Sequence, residues 1–268
     1  MTAVLGIDAA WTATQPSGVA LVERQGTAWR LIAAASSYSN FIQTGMRPVS
    51  EHCRPSSSII DLRVLLDAAS VMTSGSVDLI AVDMPLARTP IIARRTSDNA
   101  VSRAYGARKC STHTPSVIRP GPISDAMRAT CEASGYPLLT QSISTPGLIE
   151  VYPHPALVEL TGAFERLPYK ISKIRNYWRD ETPANRRSRL LDQWTAIVAA
   201  LENEIAGVSA MLPVPQQTAA TWELKAFEDA LDAVVCAWVG ICALEDRAMP
   251  YGDDVSAIWI PVAKRNGG

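Results

Sequence analysis

The most apolar stretches of this chain each contain an acid. Asp8 closes the run Ala3-Val4-Leu5-Gly6-Ile7, and Asp83 closes Leu79-Ile80-Ala81-Val82. Glu150 stands inside Leu148-Ile149-Glu150-Val151-Tyr152, and Asp232 lies in a long apolar segment from Leu231 to Leu244. Burying a carboxylate is costly unless it is paired, protonated or bound to a metal. Segments this apolar belong in a core, so their acids must share a reason to be there. Four of them on four core elements read as a divalent-metal site.

The surrounding pattern predicts the scaffold. Val4 to Asp8, Gly18 to Glu23 and Ala28 to Ala34 read as three strands in hairpin order, turned at residues 13–17 and at Gln25-Gly26. Residues 36–57 read as polar and irregular. Ile59 to Met72 has helical spacing, with a cap expected from one of Ser56 to Ser58. Val77 to Asp83 is a strand short and apolar enough to be covered on both faces. Beyond it, helices are expected at Ile123 to Ser134, Ala156 to Thr161, Leu190 to Ile205 and Trp222 to Ala248, with a loop over residues 207–220. Strands are expected at Leu148 to Tyr152 and Val255 to Ile260. This order predicts an α/β fold with a mixed sheet flanked by helices. One domain over residues 1–268 is expected, with a loop-rich basic insertion at approximately 88–122 and a helical basic segment at approximately 164–206.

Composition narrows the partners. With 268 residues, 47% of them hydrophobic, the chain can bury a large core. The formal net charge of −1 excludes a bulk polycation, so nucleic acid would have to be held by a local basic patch. Five cysteines, none in a C-x-x-C pair, suit reduced thiols and a cytoplasmic protein, and Cys236 and Cys242 fit as core filler. No basic leader and no long uncharged apolar run are present, so neither a signal peptide nor a membrane span is expected.

Asp8 and Asp83 stand at the carboxyl ends of their strands, where open α/β sheets gather ligands. If those strands are neighbours, the two acids lie about 4.8 Å apart, a separation that suits a shared cation. Asp229 and Asp232 share a face of an enclosed helix, and Glu228 reads as the solvent residue of that trio. Hard oxygen donors without histidine or cysteine point to Mg²⁺ or Mn²⁺, ions that in pairs hydrolyse phosphodiesters. The plainer alternatives are a turn or cap role for each strand-end Asp, an arginine partner for Glu150 and an ordinary helix position for Asp229. Arg94, Arg95, Arg103, Lys170 and Arg186 are the candidates for a phosphate-contacting rim, and solvated helix faces are the alternative. His154, between two prolines, reads as a rigid turn residue rather than a proton shuttle, and His113 as a loop residue. No P-loop, G-x-G-x-x-G, G-x-S-x-G, H-E-x-x-H or EF-hand is present.

Gly6-Ile7-Asp8 before a hairpin, Ala81-Val82-Asp83-Met84-Pro85-Leu86, the Arg94-Arg95, Asp98 and Arg103 stretch, Glu150-Val151-Tyr152-Pro153 and Asp229-Ala230-Leu231-Asp232-Ala233 together resemble the domain of unknown function 429 family. The likeness runs from residue 4 to about 248. It implies an RNase H-like fold and a metal-dependent nuclease acting on DNA or RNA. By that resemblance Asp8, Asp83, Glu150 and Asp232 are catalytic, and Asp8, Asp83, Asp229 and Asp232 hold metal. His154 stands where relatives often carry a further acid. Two other expectations stay open. One is an ATP-dependent phosphotransferase of the actin and sugar-kinase type, which shares the core topology. The other is a non-catalytic nucleic-acid-binding protein that keeps the fold and uses the basic rim alone.

Overall fold

The computed structural model describes residues 2–46, 54–56, 60–73 and 75–262. The strands are β1 (Ala3–Asp8), β2 (Gly18–Gln25), β3 (Ala28–Ala35), β4 (Leu79–Val82), β5 (Gly147–Val151), β6 (Ala248–Gly252) and β7 (Ala257–Pro261). The helices are α1 (Tyr38–Met46), α2 (Leu62–Met72), α3 (Thr96–Tyr105), α4 (Pro122–Ala133), α5 (Pro153–Thr161), α6 (Ile174–Tyr177), α7 (Pro183–Glu202), α8 (Val208–Met211) and α9 (Thr221–Leu244). The seven strands form one sheet in the order β3-β2-β1-β4-β5-β7-β6. β1, β2 and β3 pair antiparallel, β4, β5 and β7 follow parallel to β1, and β6 closes the edge antiparallel to β7. This is the mixed α/β sheet expected from the apolar runs, and it is consistent with an RNase H-like fold.

Helices cover both faces. Val4, Ala20, Leu79, Ala81, Ile149 and Val151 face a core built with α5, α7 and α9. Leu5, Ile7, Leu21, Ile80, Val82 and Leu148 face the opposite core with α1, α2 and α4. The central strands are therefore buried on both sides, which is why they read as unbroken apolar runs. Among the described residues no helix is long and apolar enough to cross a membrane.

Several boundaries differ from expectation. Tyr38–Met46 is helical although residues 36–57 read as irregular, because Tyr38 and Phe41 reach the core from one face. The next helix starts at Leu62 with Asp61 as its cap, its carboxylate accepting from Val64 N at 3.3 Å. Ile59, Ser57, Ser58 and Cys53 lie outside the described residues. α7 begins at Pro183, seven residues before Leu190, because Thr182 accepts from Asn185 N and Pro183 fits the first turn. α8 occupies part of the expected loop at 207–220, and α9 ends at Leu244. β6 was not expected: its sequence, Ala248-Met249-Pro250-Tyr251-Gly252, lacks alternation, and its proline is tolerated at a sheet edge. Cys236 and Cys242 are buried, as are Cys110 and Cys131, and none of the four is in a disulfide.

Candidate acidic site at the carboxyl edge of the sheet

Side chains alternate between the faces of a strand. Val4 and Gly6 face α9, so Asp8 does too; Leu79 and Ala81 face α9, so Asp83 does too. β1 and β4 are parallel neighbours with Ile7 opposite Val82, and Asp83 N continues the ladder to Ile7 O at 2.9 Å. The two acids therefore end adjacent strands on one face.

α9 brings the other acids down to them. It runs antiparallel to β1 with its backbone in contact with the sheet. A Cβ added at Gly6 would lie 2.2 Å from Ala233 O, and one at Gly18 would lie 2.0 Å from Asp229 O. No side chain larger than hydrogen fits at either place, and that closeness sets Asp229 and Asp232 beside the strand ends. The helix is buried on nearly every side from Leu224 to Ala243, as its composition predicts.

The electrostatics follow from this convergence. Burial drives the Asp8 carboxyl well above its usual range, and Asp232, Asp229 and Asp83 add to the rise while Lys170 opposes it. Asp83 is pushed up to about 7 by burial, against Lys170, with Asp232 and Glu150 reinforcing. Asp229 reaches about 6, again by burial, with Lys225 opposing and Glu228 and Asp232 adding. Lys170 contacts Asp232 Oδ2, Tyr169 donates to Asp232 Oδ1 at 2.7 Å, and Lys225 contacts Asp229. Lys170 lies 3.7 Å from Glu228. Burial opposes the Lys170 charge, yet Asp232, Tyr169, Glu228 and Asp8 hold it firmly protonated.

Glu228 is not a solvent residue: it is 2% exposed and accepts from Ile171 N at 2.5 Å and Lys225 at 3.1 Å. Helical spacing could not reveal this, because the helix has no solvent face at that level. Tyr169 and Lys225 join the site without a sequence signal of their own: Tyr169 comes from the loop after α5, which folds over α9, and Lys225 stands one turn before Asp229 on α9 itself.

Glu150 belongs to a different arrangement. It pairs with Val82, so it faces the α1–α2–α4 side, away from Asp8 and Asp83. There it accepts from Leu86 N at 2.7 Å and from both ends of the Arg95 fork at 2.5 and 2.7 Å. Arg95 also donates twice to Asp98, at 3.0 and 2.9 Å, and once to Leu86 O at 2.7 Å. All five of its N–H donors are thus engaged inside the protein. Burial opposes the Arg95 charge, and Glu150 with Asp98 outweighs it. The strand register carries this information, since Glu150 stands one residue before the level of Asp83.

The other rim candidates are dispersed. Arg94 staples its loop through Asn99, Thr114, Ser102 and the Asp98 carbonyl. Arg186 donates to the carbonyls of Trp178 and Arg179. Arg103 is exposed and makes no side-chain hydrogen bond or ion pair among the described residues. Lys170 sits in the acidic cluster. His154 lies in the first turn of α5, 7% exposed, rather than in a rigid turn.

The donor chemistry suits a hard divalent cation at Asp8 and Asp83, whose carboxylates accept no side-chain or backbone hydrogen bond among the described residues. The grouping stops there. Both oxygens of Asp232 are taken by Lys170 and Tyr169, and among the described residues no three His, Cys, Asp or Glu are arranged to hold a metal ion. A third carboxylate ligand would require Asp232 to exchange its lysine.

No curated protein and no solved structure matches the chain. A family model described as a protein of unknown function (DUF429) matches residues 6–256, from β1 to the turn before β7. The chain belongs to the DUF429 family.

Proposed function

We propose that this protein hydrolyses phosphodiester bonds of nucleic acid with the help of a divalent cation, Mg²⁺ or Mn²⁺. The observation that supports this reading is the pair Asp8 and Asp83. They stand side by side at the carboxyl ends of two parallel strands, on the face that also brings Asp229 and Asp232 within electrostatic reach. Asp8 and Asp83 would hold the ion, whose contribution is Lewis-acid activation of water and charge relief at the leaving oxygen. Without a cation, burial lifts the Asp83 carboxyl to about 7, so taking up the ion would release a proton from it below neutral pH. Lys170 keeps a fixed positive charge beside Asp232 and can face a phosphate oxygen. Glu150 and Arg95 act behind the strand ends, fixing the Met84–Leu86 turn that follows Asp83.

The test is cleavage of single- and double-stranded DNA and RNA in Mg²⁺ or Mn²⁺. Activity is expected to need the cation and to vanish in Asp83→Asn while the circular dichroism spectrum is kept. Metal-dependent cleavage unchanged in that variant would end the assignment. One observation favours a second reading, a binding protein that needs no cation: Asp232, Asp229 and Glu150 already have Lys170, Lys225 and Arg95. Calorimetry separates the two, because that reading expects no Mn²⁺ binding at Asp8 and Asp83.

A further inference from the structure

We propose that the turn over residues 116–121 is an apolar wedge whose Ile118 side chain enters the base stack of a nucleic-acid duplex lying along the acidic edge. The inference rests on the hydrolase reading for the class of ligand, and it adds how a duplex is gripped and deformed. The segment carrying this turn crosses the strand ends. At the end of β5 the Tyr152 hydroxyl donates to Ser111 O at 3.1 Å. After β4 the Ser124 hydroxyl donates to Pro85 O, in the turn that follows Asp83. After β1 the Arg119 guanidinium stands over the Trp11 ring, 5.9 Å from its centroid, in the loop that follows Asp8. Residues 111–124 therefore pass the ends of β5, β4 and β1 in turn. Trp11 and α4 pack on the core opposite α9, so the strand ends lie between α9 and this segment.

The turn is stiff at its base and apolar at its tip. Ser116 N donates to Arg119 O at 2.8 Å, and Arg119 N donates to Ser116 Oγ at 3.1 Å. Gly121 has φ +48°, and a Cβ there would lie 2.0 Å from Val117 O, so only glycine lets the chain close beneath the tip. Pro115, Pro120 and Gly121 are buried, whereas Val117 is 58% and Ile118 90% exposed. A loose loop could fold an isoleucine back onto the protein; this closed turn holds it out in water.

Area and charge identify the occupant. Val117 and Ile118, with Ile123 36% exposed at the start of α4, offer far less surface than the roughly 800 Å² per partner of a stable protein interface. A single branched apolar side chain is enough to part a base step, and proteins that bend DNA insert isoleucine or leucine in this way. The adjoining Arg119 is exposed, and its guanidinium makes no hydrogen bond or ion pair among the described residues. A cation next to the wedge is thus available to a backbone phosphate. A step opened at Ile118 loosens the duplex beside the strand ends, where Asp8 and Asp83 stand.

The experiment is binding, in EDTA, of DNA and RNA–DNA duplexes carrying 2-aminopurine placed in turn along one strand, a base whose fluorescence rises when it unstacks. Wild type is expected to bind and to raise the fluorescence. Ile118→Ser is expected to lose the rise and to weaken binding about tenfold. Its melting temperature is expected to be that of wild type, because the side chain is nearly all in water. Ile118→Leu is expected to keep both rise and affinity. Arg119→Met is expected to keep the rise and to flatten the plot of log K against log salt by about 0.9, the value of one phosphate contact on a duplex. A rise undiminished in Ile118→Ser, binding without any rise, or no duplex bound by wild type overturns the proposal. So does a change of oligomeric state in Ile118→Ser by sedimentation, which would make the tip a contact between copies of this chain. The hydrolase reading fails separately: unstacking that depends on Ile118 without any Mn²⁺-dependent cleavage keeps the wedge and removes the activity. Mn²⁺-dependent cleavage with Ile118→Ser unstacking the duplex like wild type does the reverse.

Discussion

Asp83 titrates near 3.8 in an ordinary chain and near 7 in the fold. Between those values the folded protein binds more protons than the unfolded chain, so stability falls as pH rises through that window. The full rise corresponds to about 4 kcal/mol, and solvent on one side of the carboxylate reduces this to about 1–2 kcal/mol. In EDTA at pH 8, Asp83→Asn is therefore expected to melt above wild type, with the gain gone below about pH 4; thermal denaturation across pH reads it, and a pH-independent difference refutes it. Lys170→Met makes the opposite point. It leaves Asp232 buried with Tyr169 as its remaining partner, at a cost of about 3 kcal/mol. MnCl₂ is expected to restore more of the melting temperature in this variant than it adds to wild type, because a cation then takes the place of the ammonium. No recovery with Mn²⁺ would mean that the cluster does not take the ion.

At the scale of elements, two contacts decide where the acids sit. α9 touches the sheet through Gly6 and Gly18, so Gly6→Ala must lift the helix away from β1. We expect a loss of about 3 kcal/mol, measured by urea denaturation, together with loss of Mn²⁺ binding. The stretch before α3 is tied to β5 by Arg95, and Arg95→Met leaves Glu150 and Asp98 buried without their shared counter-ion. That variant is expected to lose about 3–5 kcal/mol, and unchanged stability would show the ion pair to be dispensable. Much of this scale was legible in the sequence. Continuous apolar runs gave β1, β4, β5 and the enclosed helix, and their terminal acids marked the cluster. Glu150 was harder, because its side of the sheet depends on a pairing register that no local pattern states. α1 and β6 were hidden for a related reason: each has too few apolar residues to show a period, and tertiary contacts define them. Lys170 was legible only as a rim candidate and Lys225 not at all, because a basic run in sequence suggests a surface rim, whereas a loop and a helix turn bring these two lysines onto the acids.

Across the whole molecule, the carboxyl edge of the sheet carries opposite charges side by side. The strand ends and α9 supply acids, and the loop after α5 supplies Lys170. The family match covers this edge entirely, since it runs from residue 6 to residue 256.

The tight seating of α9 on β1 has a consequence in time. Asp8 enters the chain among its first residues and Asp232 among its last elements, so their meeting requires a closure that spans most of the polypeptide. Pairings of such long reach form slowly. During renaturation, helical ellipticity should return first and any hydrolytic turnover only afterwards. A half-length translation product would carry two of the acids without α9 to set beside them, and the cluster would close only once the ribosome had delivered the other end.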